Sequence, residues 1–232
     1  MTRRDVARLS ATLLVTVLAF AALALLVTGG TGPWASFDQR VLDVVRVRVF
    51  PHPEVVVALE VLAFVTHPNA WRAVAAVIAV VLWQRGRHGI ATWLVVTMAL
   101  GGVLSPLLKA IVGRERPVFA DPVSSADGYA FPSGHALASM LFAACLIVLA
   151  RSVARDGRRS PARRAVAVGV VIVAITGIDR IALGVHYASD VLAGWLVALA
   201  TVTVTTIAFG IRPGDAARPP TASPGPTSAR RR

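Results

Sequence analysis

Long apolar runs limit what this chain can fold into more than any other feature of its sequence. Residues 9–27, 90–108, 136–150, 165–178 and 191–209 are five such runs, and a helix needs about 20 apolar residues to cross a bilayer. A sixth, 54–83, is interrupted by His67-Pro68-Asn69. Proline restricts the residue before it and removes a helix donor, so 54–83 reads as one span with a bent or interfacial entry. In hydrocarbon a segment must satisfy its own backbone polar groups, and a helix does so. The expectation is an all-α polytopic membrane protein with six transmembrane helices. With 56% of its 232 residues hydrophobic, the chain is too apolar for an ordinary soluble domain.

Residues 1–59 are expected to hold the first transmembrane helix and an extracytoplasmic amphipathic segment. Ala22-Leu23-Ala24 resembles a signal-peptide cleavage site, but the apolar run continues past it and points to an uncleaved span. In 37–50, Arg40, Arg46 and Arg48 stand among valines, a pattern too polar to span that suits an element lying on the membrane surface. Residues 60–209 form the expected core. The stretch 210–232, rich in Pro, Ala, Ser and Arg, reads as a disordered cytoplasmic tail. The single cysteine, Cys145, excludes an internal disulfide and is expected simply to pack.

Six spans put both termini on one side. The segments then assigned to the cytoplasm carry Arg3, Arg4 and Arg8, then Arg85 and Arg87, then the arginines of 151–164 and of the tail. Together these are two thirds of the 24 basic residues, as the positive-inside trend requires. The net charge of +12 is therefore a topology signal, and nucleic acid is not an expected partner. The expected location is the plasma (inner) membrane, with both termini cytoplasmic. Lys109, Arg114, Arg116 and Arg180 fall on the opposite side, against that trend, and call for an anionic ligand.

Three segments converge there. Lys109-Ala-Ile-Val-Gly-Arg114-Glu115-Arg116-Pro117 ends the third span, and Pro132-Ser133-Gly134-His135 starts the fourth. Arg180-Ile-Ala-Leu-Gly-Val-His186-Tyr-Ala-Ser-Asp190 joins the fifth to the sixth. If a helix starts near Val185, His186 and Asp190 share a face. The carboxylate would then hold one ring nitrogen and leave the other free to attack. Ser133 and Gly134 at a helix start offer backbone N–H groups to an anion, and His135 is within reach to protonate a leaving oxygen. Lys109 is the only lysine in an arginine-rich chain, which favours a role for a compact ammonium donor. A zinc site built from His135, His186 and Asp190 fits the ligand types, but three nearby cations would repel a divalent metal. No metal or other cofactor is expected. His52, His67 and His88 receive no role.

Taken in order, Lys-x6-Arg-Pro, Pro-Ser-Gly-His and Arg-x5-His-x3-Asp resemble the type 2 phosphatidic acid phosphatase family, the lipid phosphate phosphatases. The resemblance covers roughly residues 60–209, and the run from Gly184 to Gly194 also looks like bacterial members. It implies a six-helix membrane fold and metal-independent removal of phosphate from a lipid, which the charge-based topology puts at the extracytoplasmic face. It further implies His186 as nucleophile forming a phosphohistidine, Asp190 as its orienting partner and His135 as general acid. Lys109, Arg116, Ser133, Gly134 and Arg180 would bind the phosphate. One position departs from the family pattern: Asp179 stands where a serine usually precedes the arginine of the third motif. Asp179 either points aside, pairs with Arg180 or faces the anion.

The partners implied are the bilayer and a lipid phosphate: an isoprenyl diphosphate, phosphatidylglycerophosphate or phosphatidic acid. Three cationic side chains tilt the expectation towards a diphosphate. A non-catalytic lipid-phosphate binding or transport protein, or a phosphotransferase using an acceptor other than water, are the alternatives. The sequence does not fix an oligomeric state.

Overall fold

The computed structural model describes residues 2–29, 32–153 and 160–211. The arginines at 155, 158 and 159 and the expected tail from 212 onward lie outside them. All regular structure among the described residues is helical, in chain order α1 Arg3–Thr28, α2 Pro33–Arg48, α3 Pro53–Val65, α4 Pro68–Gln84, α5 His88–Val112, α6 Gly134–Val153, α7 Ser160–Ala182 and α8 Ala188–Ala208. Among the described residues, six stretches are long and apolar enough to cross a membrane: α1, α3 with α4, α5, and most or all of α6, α7 and α8. The chain is an all-α, multi-pass membrane protein, as the apolar runs require.

Local chemistry starts these helices. Thr2 and Asp5 cap α1 reciprocally, the Thr2 hydroxyl accepting from the Asp5 N–H at 3.2 Å and the Asp5 carboxylate from the Thr2 N–H at 3.0 Å. Pro33, Pro53 and Pro68 each open a helix, where a missing N–H costs nothing. The break at Thr66-His67 thus both ends α3 and starts α4. It also redirects the chain, because α3 packs on α7 whereas α4 packs on α5 and α6.

α6 and α8 form the centre of the bundle. α6 packs against α4, α5, α7 and α8, and α8 against α1, α5 and α6. Trp93, Leu94, Leu137, Leu141, Cys145 and Ala198 are core residues, so Cys145 packs as expected. Membrane helices gain little from burying apolar surface and rely on close backbone approach and hydrogen bonds between helices. Both devices are present. Thr97 of α5 donates to Thr205 of α8 at 2.9 Å. A Cβ on Gly194 would lie 2.6 Å from the Ser133 carbonyl, so only glycine lets α8 come this close to the start of α6.

α2 presents two different faces. Its arginines are exposed, but Asp38, Leu42 and Val45 form a buried stripe, and the helix packs on α7 and α8. It is part of the bundle as well as amphipathic.

Candidate active site

Alternating helix direction puts the end of α1, the start of α3, the end of α5, the start of α6, the end of α7 and the start of α8 at one end of the bundle. All eight site residues anticipated from the sequence lie there, so both imidazoles are on the same side. The 2.9 Å bond from the Ser133 N–H to the Asp190 carbonyl joins the second motif to the third. Arg116 joins the first motif to the third, donating to the Val185 carbonyl at 2.7 Å.

His186 occupies the turn between α7 and α8. Gly184 reverses the chain there with φ of +69°, under the rings of Phe50 and Phe119, which a Cβ would meet at 2.9 Å. A shared helical face for His186 and Asp190 requires a helix starting near Val185; the helix instead begins at Ala188, with Tyr187 as its N-cap. Asp190 therefore reaches back from the first turn rather than along a shared helical face. Its Oδ2 accepts the Tyr187 N–H at 2.9 Å and lies 3.4 Å from His186 Nδ1. His186 Nε2 lies 3.3 Å from Arg116 Nη1. A guanidinium only donates, so Nε2 is the acceptor and the ring proton belongs on Nδ1, facing Asp190. At 3% exposure, burial lowers the His186 pKa to about 4, opposed by Asp190 and reinforced by Arg116 and Lys109. The ring is thus neutral at neutral pH, with its lone pair towards the cations.

The remaining anticipated residues surround it. Arg116 is strapped to the loop before α6, donating to the Gly128 and Asp127 carbonyls at 2.9 Å each. Burial lowers its pKa, a shift that Asp190 opposes and Arg180 reinforces. Lys109 donates to the Tyr129 carbonyl. Ser133 is fully buried and its N–H is taken by Asp190, so the amides of Gly134 and His135 in the first turn of α6 are better suited to receive an anion. His135 is partly exposed, close enough to interact electrostatically with Arg180 and His186, and its ring meets His67 edge-on at 5.5 Å. Among the described residues no three His, Cys, Asp or Glu side chains gather as a metal site.

Asp179 pairs with its neighbour. Arg180 Nε donates to Asp179 Oδ2 at 2.8 Å and both side chains are buried. The other carboxylate oxygen, Oδ1, is buried without a hydrogen-bond partner among the described residues.

Four further residues join this cluster: Arg114, Asp38, Tyr187 and Ser189. Arg114 donates to Asp190 Oδ1 at 2.6 Å, to the Ser189 hydroxyl at 2.7 Å and to Asp38 Oδ2 at 2.8 Å, and stacks on the Tyr187 ring at 4.0 Å. Asp38 accepts the Ser189 N–H at 3.0 Å and also its hydroxyl. Burial raises the Tyr187 pKa, with Arg114 acting against it. Arg114 was legible only as a misplaced cation. Asp38 had a signal that went unused: an acid in register with Leu42 and Val45 on one helical stripe.

One hollow adjoins the site and a second lies within the bundle. The first, of about 230 Å³, lies beside Arg116 and is lined by Phe119, Pro122, Ser124 and Gly184 among others. The second is an apolar groove of about 270 Å³ between α1, α5 and α8, lined by Phe20, Leu104, Leu108, Leu196 and Val204 among others.

Comparison with known proteins bears on the family and the fold. The sequence profile of the PAP2 superfamily matches residues 90–212. Phosphatidylglycerophosphatase B of Bacillus subtilis is 31% identical over 98 residues, a match spanning 42% of this chain and 47% of that protein. The chain thus matches about half the length of this curated relative. A crystal structure described as the first transmembrane PAP2 type phosphatidylglycerolphosphate phosphatase from Bacillus subtilis has a TM-score of 0.71, covering 87% of this chain and 98% of that one. At 21% identity, that likeness is one of fold.

Proposed function

The chain belongs to the PAP2 superfamily, and from that premise we propose that it is a lipid phosphatase working through a phosphohistidine without a metal ion. The observation that carries the reading is His186, held with its Nδ1 proton towards Asp190 and its Nε2 lone pair towards Arg116. In the first step Nε2 attacks phosphorus while the phosphorus–oxygen bond to the lipid breaks. Lys109, Arg116, Arg180 and the first-turn amides of α6 carry the phosphoryl oxygens, and Asp190 stabilises the cationic ring. His135 gives its proton to the leaving oxygen. In the second step water attacks the phosphohistidine, its proton passes to the now neutral His135, and the phosphorus–nitrogen bond breaks. Inorganic phosphate leaves and both histidines return to their starting state.

The substrate we infer is a phosphate monoester of a glycerophospholipid, such as phosphatidylglycerophosphate or phosphatidic acid. Three free cations would suit a diphosphate, but one of them, Arg180, already carries the Asp179 carboxylate. The apolar groove between α1, α5 and α8 would take a lipid tail, and the hollow beside Arg116 the polar part of the headgroup. The positive-inside argument puts the termini in the cytoplasm and the site at the extracytoplasmic face of the plasma membrane.

The test is phosphate release by the purified protein in detergent, with EDTA present, from phosphatidylglycerophosphate, phosphatidic acid and an isoprenyl diphosphate. The reading expects turnover in EDTA with the monoesters ahead of the diphosphate. Binding without release would instead identify a lipid-phosphate carrier, and transfer to an added alcohol a phosphotransferase.

A further inference from the structure

We propose that Asp38 and Arg114 are positioning residues of this reaction, aiming the nucleophile by fixing the Asp190 carboxylate from a helix in the N-terminal segment. The proposal rests on the reading of His186 as nucleophile. Asp190 Oδ2 serves the Tyr187 N–H and His186 Nδ1, and Arg114 grips Oδ1 at 2.6 Å. With both oxygens engaged, the carboxylate is not free to turn away from the imidazole. Arg114 is held in turn by Asp38 at 2.8 Å, and Asp38 also secures the start of α8 through the Ser189 N–H. Asp38, Arg114 and Asp190 alternate in charge and run from α2 to the His186 imidazole.

Burial argues against a role in packing alone. Asp38 is 1% exposed and sits in the apolar stripe with Leu42 and Val45. Burying a carboxylate is costly, and apolar residues of similar volume often replace a buried ion pair without loss of stability. Here the pair instead delivers a guanidinium to the one carboxylate that touches His186. The working site therefore extends beyond residues 60–209, because α2 supplies one of its supports.

The arrangement has a signature that mere scaffolding lacks. Arg114 weakens the pull of Asp190 on His186, and Asp38 offsets Arg114. Removing Asp38 should make His186 less basic, whereas removing Arg114 should make it more basic. The other charged or titratable groups that act on His186, namely Lys109, Arg116 and His135, are unchanged in both variants.

The experiment measures kcat, KM and the acid limb of the pH profile for the full-length protein on whichever lipid phosphate the wild type hydrolyses fastest. Asp38→Asn and Arg114→Gln should each lower kcat about tenfold or more with KM within about threefold. Their acid limbs should move in opposite directions, downwards for Asp38→Asn and upwards for Arg114→Gln. Asp43→Asn, exposed on the same helix, should match the wild type. A kcat within about twofold of wild type in both variants, a loss confined to KM, or acid limbs moving together overturns the proposal. If Asp38→Asn does not insert stably, Ser189→Ala carries the test. It keeps every charge and should lower kcat about threefold, and an unchanged kcat overturns the proposal. His186→Ala separates the two readings: an active His186→Ala enzyme refutes the nucleophile assignment, whereas an inactive one beside a normal Asp38→Asn enzyme refutes only the support from α2.

Discussion

His186 and His135 occupy the same end of the bundle in opposite surroundings. His186 is buried, with one ring nitrogen facing a carboxylate and the other a guanidinium, and that carboxylate is itself held by Arg114. His135 is partly exposed and rests edge-on against the exposed ring of His67. In the proposed reaction the difference follows from the task. A nucleophile must be aimed along one line at phosphorus, so its ring is fixed from both sides. A general acid must reach a leaving oxygen and then recover a proton from water, which burial would prevent.

Substitutions at the two histidines should separate these tasks. His186→Ala should lower kcat by about 10⁴-fold or more for every substrate, since no leaving group replaces a missing nucleophile. Asp190→Asn should follow, with a loss of about 10³-fold, because the ring keeps its pocket but loses its negative partner and its tautomer. His135→Ala should cost about 10²-fold on a lipid phosphate and only about tenfold on an aryl phosphate, whose leaving oxygen needs no proton. Steady-state assays on the two substrate classes measure all three. Equal losses for His135→Ala on both classes would erase the distinction between the two histidines.

The pH profile examines the buried member of the pair. An ordinary histidine near 6.5 would lose its lone pair in mildly acidic solution. Because burial brings His186 to about 4, kcat/KM should hold through pH 6 and fall only as pH drops towards that value. The smallest effect is expected at the departure from the family pattern. Asp179→Ser frees the Arg180 fork and should tighten competitive inhibition by inorganic phosphate about three- to tenfold. An unchanged inhibition constant would mean that Arg180 does not reach the anion.

The sequence revealed the parts of this site that depend on residue identity and spacing. Lys109, Arg116, Ser133, Gly134, His135, Arg180, His186 and Asp190 were all legible because each sits beside a helix boundary that apolar runs make visible. Features that depend on tertiary partners were not. The start of α8 at Ala188 was not legible, because the chain turns through a positive φ at Gly184 before the helix begins. Asp38 looked like one more polar residue of an amphipathic helix; its partners are Arg114, 76 residues away, and Ser189, 151 residues away. Asp179 had three open orientations, and only the folded end of α7 selects the pairing with Arg180.

The most direct test of the account is to trap the intermediate. The purified protein is mixed with a radiolabelled lipid phosphate in EDTA, quenched within one turnover in alkali and mapped by peptide mass spectrometry. The account predicts an alkali-stable, acid-labile label on His186, absent from His186→Ala and increased in variants that slow attack by water. A label on any other residue, or rapid turnover with no labelled enzyme at any time, would contradict it.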